Sequence, residues 1–124
     1  MMLKDKGNQI YITDNEREKC RKVAEVFAEL EKYDIVVLDA GRYGFVKLQY
    51  YTYQKGFDDA ITFTDSQALF DDLWKEWLHT QIILLAEEMG IGDIDYDDVF
   101  MRLPKEKQEE LMNMRNCFQK KLTE

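Results

Sequence analysis

The residues able to carry out chemistry are few and far apart. The 124-residue chain has one histidine, His79, one serine, Ser66, and two cysteines, Cys20 and Cys117. A hydrolytic triad would have to be built on Ser66 and His79. Ser66, however, sits inside the helix-start signal Thr64-Asp65-Ser66-Gln67, which already accounts for a hydroxyl at that point. A reactive thiolate needs an imidazole or a cationic site beside it, and nothing in the spacing brings His79 near either cysteine. Both cysteines fall on or beside apolar helical stripes, where thiols are buried and inert.

Metal chemistry has two candidate segments. Glu76-Trp77-Leu78-His79 has the Glu-x-x-His spacing of carboxylate-bridged di-iron bundles, and Asp72 lies one turn earlier on the same helical face. Those centres need two such pairs and further glutamates, so Asp72, Glu76 and His79 could hold at most a single ion. The second segment, Asp93-Ile94-Asp95-Tyr96-Asp97-Asp98, alternates carboxylates like the start of a calcium loop. Counted from Asp93, the glycine and bidentate glutamate that such a loop requires are replaced by Asp98 and Pro104. The plainer reading is an acidic loop in which Asp95 caps a helix; Asp93, Asp95 and Asp97 remain weak cation candidates. Gly90-Ile91-Gly92 follows a helix rather than a strand and lacks a third glycine, so it is no dinucleotide cradle. No cofactor is implied.

The elements that would position these residues follow from periodicity. Thr13-Asp14-Asn15-Glu16 reads as a capping box in which Thr13 and Glu16 satisfy each other's amides. It opens a helix to about Lys32 with the stripe Cys20, Val23, Ala24, Phe27 and Leu30. Residues 34–39, 45–53 and 57–63 read as strands joined by short connections, hence an antiparallel meander. Residues 9–12 could add a fourth strand or form an extended lead-in. A long helix from the second capping signal to about Met89 contains Ile82-Ile83-Leu84-Leu85-Ala86, apolar on every side, and closes at Gly90. A short helix ends near Leu103. A last helix begins at Pro104 with the stripe Leu111, Met114, Phe118 and Leu122. The expected fold is a single α+β domain over residues 1–124: a three-stranded sheet, or four-stranded with 9–12, with N-terminal, long central and C-terminal helices mainly on one face.

In the strand 45–53, alternation sends Val46, Leu48 and Tyr50 to one face and Phe45, Lys47, Gln49, Tyr51 and Tyr53 to the other. If the helices cover the first face, Phe45, Tyr51 and Tyr53 show their rings to solvent as an interaction surface; the alternative is that the first helix covers this second face and makes a three-layer core.

The net charge of −8 is unevenly spread. Residues 57–98 hold 12 acidic side chains and one basic one, Lys75. Such a segment repels nucleic-acid phosphates and suits a basic protein or a cation; the plainer reading is that it keeps the protein in solution. Residues 1–8 show no apolar leader core and no apolar run approaches a membrane span, so a cytoplasmic location and no membrane partner are expected. The reading that follows is a non-enzymatic protein-interaction module whose partner is another protein or a second copy in a homodimer. The alternatives are an acidic decoy, inhibitor or immunity-type protein facing a basic surface, and a weak metal protein or enzyme using Asp72, Glu76 and His79.

Overall fold

The computed structural model describes residues 11–58, 60–92 and 95–123. The elements in chain order are helix α1 (Asp14–Val26), strand β1 (Ile35–Asp39), strand β2 (Phe45–Tyr51), short strands β3 (Gly56–Phe57) and β4 (Ile61–Phe63), and helices α2 (Ser66–Glu88), α3 (Tyr96–Arg102) and α4 (Lys105–Lys121). This is the expected α+β order: an antiparallel sheet with N-terminal, long central and C-terminal helices. The fourth strand comes from a division within 57–63, while residues 9 and 10 of the alternative strand lie outside the described residues. The chain forms two compact units, Met1–Asp72 and Leu73–Glu124, and their boundary falls inside α2.

In the first unit β2 is the central strand. It pairs with β1 on one side and with β3 and β4 on the other, all antiparallel. The β1 register runs from Ile35↔Gln49 to Asp39↔Phe45. From Tyr50↔Phe57 to Lys47↔Ile61, β2 advances three residues while its neighbour advances four. One extra residue in the returning chain is a bulge, and it divides the expected strand into β3 and β4.

Two other boundaries differ from the sequence reading. The α-helix expected to reach Lys32 stops at Val26, and Ala28–Tyr33 tightens into a 3₁₀ helix ending at Asp34, whose φ of 65° is left-handed. That turn lets the chain enter β1 directly while Phe27 and Leu30 stay buried. Strand β2 ends at Tyr51, because Thr52–Gln54 forms a 3₁₀ turn closed by left-handed Lys55.

The helices are tied down by their caps. The Thr13 hydroxyl accepts the Glu16 amide at 3.1 Å, as expected. The Glu16 carboxylate does not return to Thr13. It accepts the Ser66 N–H at 2.7 Å and the Ser66 hydroxyl at 3.0 Å, capping the start of α2 from α1. The Ser66 amide is the leading reason that the Glu16 carboxyl is held below its ordinary value. Asp65, rather than Thr64, accepts the Gln67 amide at 3.1 Å. The first unit buries Cys20, Val23, Phe27, Leu30, Ile35, Phe45, Leu69 and Phe70. Within it the Phe27 and Phe70 rings meet edge to face at 5.4 Å.

In the second unit Trp74 stacks on Trp77 at 5.4 Å, and Phe118 of α4 meets Trp77 edge-on at 5.2 Å. Ile82, Ala86 and Val99 form a smaller cluster, with Leu78, Ile91, Tyr96 and Phe100 around it. Asp95 caps α3 through the Asp97 and Asp98 amides, and Gly90 is left-handed after α2; both follow the sequence reading. The apolar run in α2 is not buried all round. Ile82 and Ala86 are buried, Ile83 and Leu85 half-buried, and Leu84 is 40% exposed.

The β1–β2 connection rests on Gly44. Its backbone (φ 103°, ψ −157°) lies where only glycine is comfortable, and a Cβ there would stand 2.4 Å from the Phe63 carbonyl oxygen. Gly41, at φ 68°, has open space around it. Gly44→Ala should therefore destabilise the fold well beyond the roughly 1 kcal/mol expected for Gly41→Ala, read as the difference between their urea midpoints. Equal midpoints would contradict the close packing of Gly44 on β4.

Candidate interaction surface

The cross-strand register sorts the sheet's side chains into two faces. Ile35, Val37 and Asp39 share one face with Phe45, Lys47, Gln49, Ile61 and Phe63. Val36 and Leu38 share the other with Val46, Leu48, Tyr50, Phe57 and Thr62. On the first face Ile35, Phe45 and Lys47 are buried. This is the side toward α1 and the start of α2: Arg17 of α1 holds Asp39 through a two-point pair at 3.0 and 3.2 Å, and Asp72 of α2 pairs with Lys47.

Of the two arrangements the sequence leaves open, the structure forms the one in which α1 covers the Phe45 face. Phe45 is 2% exposed and belongs to the covered face, not to a solvent-facing aromatic patch. Tyr51 is half-buried and Tyr53, on the 3₁₀ turn after β2, is 82% exposed; their rings lie 5.5 Å apart. The outward apolar face is the one carrying Val36, Leu38, Val46, Leu48, Tyr50 and Phe57. Leu38 and Phe57 are each 52% exposed, and the other four are half-buried. Tyr50 and Phe57 form a cross-strand aromatic pair at 5.2 Å on this face. Lys47 can lie on the covered face because the Asp72 carboxylate meets it there.

The metal candidates do not assemble. Among the described residues, no group of three His, Cys, Asp or Glu side chains is placed to hold an ion. Asp72 faces Lys47. His79 lies flat on Tyr96, the ring centroids 3.9 Å apart and the planes 3° from parallel. Asp95 is committed to its cap and Asp97 is exposed on the first turn of α3. Asp93 lies outside the described residues.

The thiols are also separate. Cys20 is buried, and burial pushes its thiol up to about 11, with the Glu16 and Asp65 carboxylates acting in the same direction. Cys117, expected to be buried, is exposed on α4. Of the acidic residues in 57–98, Asp65, Asp95 and Asp98 serve caps or local pairs and Asp72 faces Lys47.

Comparison with protein-family models, with curated proteins and with solved structures returns no match. No helix among the described residues is long and apolar enough to cross a membrane.

Two expectations follow. Asp72→Ala takes away the carboxylate that faces an 8% exposed lysine, and should cost about 1–3 kcal/mol in urea unfolding. Lys47→Met, which leaves the more accessible Asp72 to water, should cost less, and the reverse order would contradict a structural role for the pair. For His79, burial is the leading cause that lowers its pKa in the folded state, with Glu76 opposing and Lys75 reinforcing. The unfolded chain therefore takes up this proton more readily. The contribution of His79 to stability is complete above the ordinary imidazole range and is lost as pH falls through it. His79→Phe, which keeps a ring for Tyr96, should flatten that part of the stability curve, measured as melting temperature between pH 5 and 7.

Proposed function

We propose that this protein is a non-enzymatic interaction module whose contact surface is the outward face of its sheet. The observation that carries the reading is the apolar composition of that face across three strands: Val36 and Leu38 on β1, Val46, Leu48 and Tyr50 on β2, and Phe57 on β3. A fully buried Leu or Phe contributes roughly 1.5–3 kcal/mol. Leu38 and Phe57, each half exposed, withhold a large part of that from folding and would return it to a partner laid across the face. Apolar side chains gathered on one strand face and left partly exposed suit the docking of another protein. Four residues with reactive side chains support the same reading, because they serve local structural purposes: Ser66 and Glu16 in a cap, His79 in a ring stack, Cys20 in the core.

The partner suited to this face is a protein presenting an apolar, aromatic-bearing segment. The acidic-decoy alternative is not preferred, because Asp72 faces Lys47 and Asp65 and Asp95 are engaged in capping helix starts.

A photo-crosslinking side chain at position 57, expressed in the native cell, should capture a discrete protein partner. The same side chain at position 53, which is exposed but not on the face, should not capture it. Phe57→Glu should abolish that complex while leaving the melting temperature near that of the unaltered chain. Equal capture from both positions, or retention of the partner by Phe57→Glu, would count against the face.

A further inference from the structure

We propose that the outer edge of β1 pairs with the same edge of a second copy, antiparallel and in register about Val37. The β1–β2 ladder uses only alternate amides of β1. Tyr50 N–H donates to Asp34 C=O and Ala40 N–H to Gly44 C=O, each at 2.8 Å. In an antiparallel ladder the bonded pairs recur at every second residue. Val36↔Leu48 and Leu38↔Val46 are therefore the pairs that exchange bonds. The N–H and C=O groups of Ile35, Val37 and Asp39 point the other way, and among the described residues β1 has no neighbour on that side.

This edge is unlike the opposite one. The β3–β4 edge is broken by the extra residue between Phe57 and Ile61, which makes it a poor template. The β1 edge is five regular residues, Ile-Val-Val-Leu-Asp, without proline, glycine or lysine. A groove of about 220 Å³, lined by Ala24, Phe27, Ala28, Glu31 and Ile35–Leu38, leaves space between α1 and this strand.

The occupant is a second copy because the edge is complementary to itself. A two-fold axis through Val37 sets Val37 against Val37, Ile35 of one copy against Asp39 of the other, and Asp39 against Ile35. All three outward residues then exchange both backbone bonds, as an isologous contact requires. An axis through Asp39 would set two carboxylates face to face, and an axis through Ile35 would leave Asp39 unpaired. The Asp39 carboxylate needs nothing from the partner, since Arg17 and the Gly41 amide already hold it. Leu38, half exposed in the single chain, packs beside Val36 of the other copy. So short an edge buries well under the ~1,200 Å² of stable complexes, so the dimer is weak and depends on concentration.

The test uses the full chain with Cys117→Ser, which removes the exposed thiol. Val36→Cys and Leu38→Cys are made in separate chains and then mixed. In the proposed register, positions 36 and 38 form a non-bonded cross-strand pair, close enough for a disulfide. Two copies of position 36 lie diagonally, too far apart. The mixture should cross-link several times more than either chain alone, and light scattering of the unaltered protein should show mass rising toward two chains with concentration. Val37→Pro, which removes an amide that β2 does not use, should remain a folded single chain by circular dichroism and light scattering. A mass of one chain at every concentration up to the millimolar range overturns the proposal. So does cross-linking of either single variant as strong as that of the mixture. The proposal stands apart from the reading of the outward face: Phe57→Glu should leave the mixed cross-link intact, so either idea can fail alone.

Discussion

A pleated strand can put only one of its faces against a single layer of helix, and in β2 the choice falls on Phe45 and Lys47. Most of the first unit follows from that assignment. Phe45 joins the core, and Lys47 must then be met by a carboxylate under the helices, which Asp72 supplies from α2. Asp39, opposite Phe45 in the register, falls on the same face and is met by Arg17 of α1. With α1 fixed to the sheet by Arg17, its Glu16 is in position to cap α2. Polar side chains therefore orient both helices over an otherwise apolar core. The Arg17–Asp39 pair is exposed and contributes modestly, whereas Lys47 is nearly buried, so losing its carboxylate is the costlier loss.

The elements legible in the sequence were those whose signals are local. The Thr13 cap, the Asp95 cap, left-handed Gly90 and the Leu111–Phe118 stripe each depend on residues within a turn or two of one another. What was not legible depends on residues far apart in the chain. The side of β2 that is covered could not be read from Phe45-Val46-Lys47-Leu48 alone, because both faces carry apolar groups and the lysine that tips the balance is matched 25 residues later. Glu16 illustrates the same limit: its spacing from Thr13 fits a reciprocal box, yet a better donor pair, the amide and hydroxyl of Ser66, arrives 50 residues downstream. The end of α1 at Val26 and the bulge before β4 are likewise set by the need to close the sheet, which overrides local propensity.

The candidate sites show a parallel division. Glu-x-x-His spacing places Glu76 and His79 one turn apart, but spacing says nothing of what stacks on the imidazole. Tyr96 does so, at the start of a separate helix. Cys117 sits one residue before buried Phe118, and that single step, about 100° around α4, carries it out of the core. An apolar side chain beside a stripe is not on it, and only the neighbours across the interface settle how wide the stripe is.

The same alternation that decides the faces of the sheet also separates its two exposed features. In β1, residues 36 and 38 send their side chains to the outward face and their amides to β2. Residues 35, 37 and 39 send their side chains toward the helices and their amides to the open edge. One set of residues carries the apolar contact surface and the other carries hydrogen-bond groups that no strand among the described residues pairs, though both lie within five consecutive positions. The two surfaces differ in kind as well. The face attracts through apolar area, without direction, and tolerates many partners; the edge attracts through oriented amides and accepts only a strand in matching register. A pairing across the edge about a perpendicular two-fold axis would place both outward faces on the same side of one continuous sheet. Dimerisation would then leave the contact surface accessible and extend it, so the edge sets how much face a partner meets, and the face sets what that partner can be.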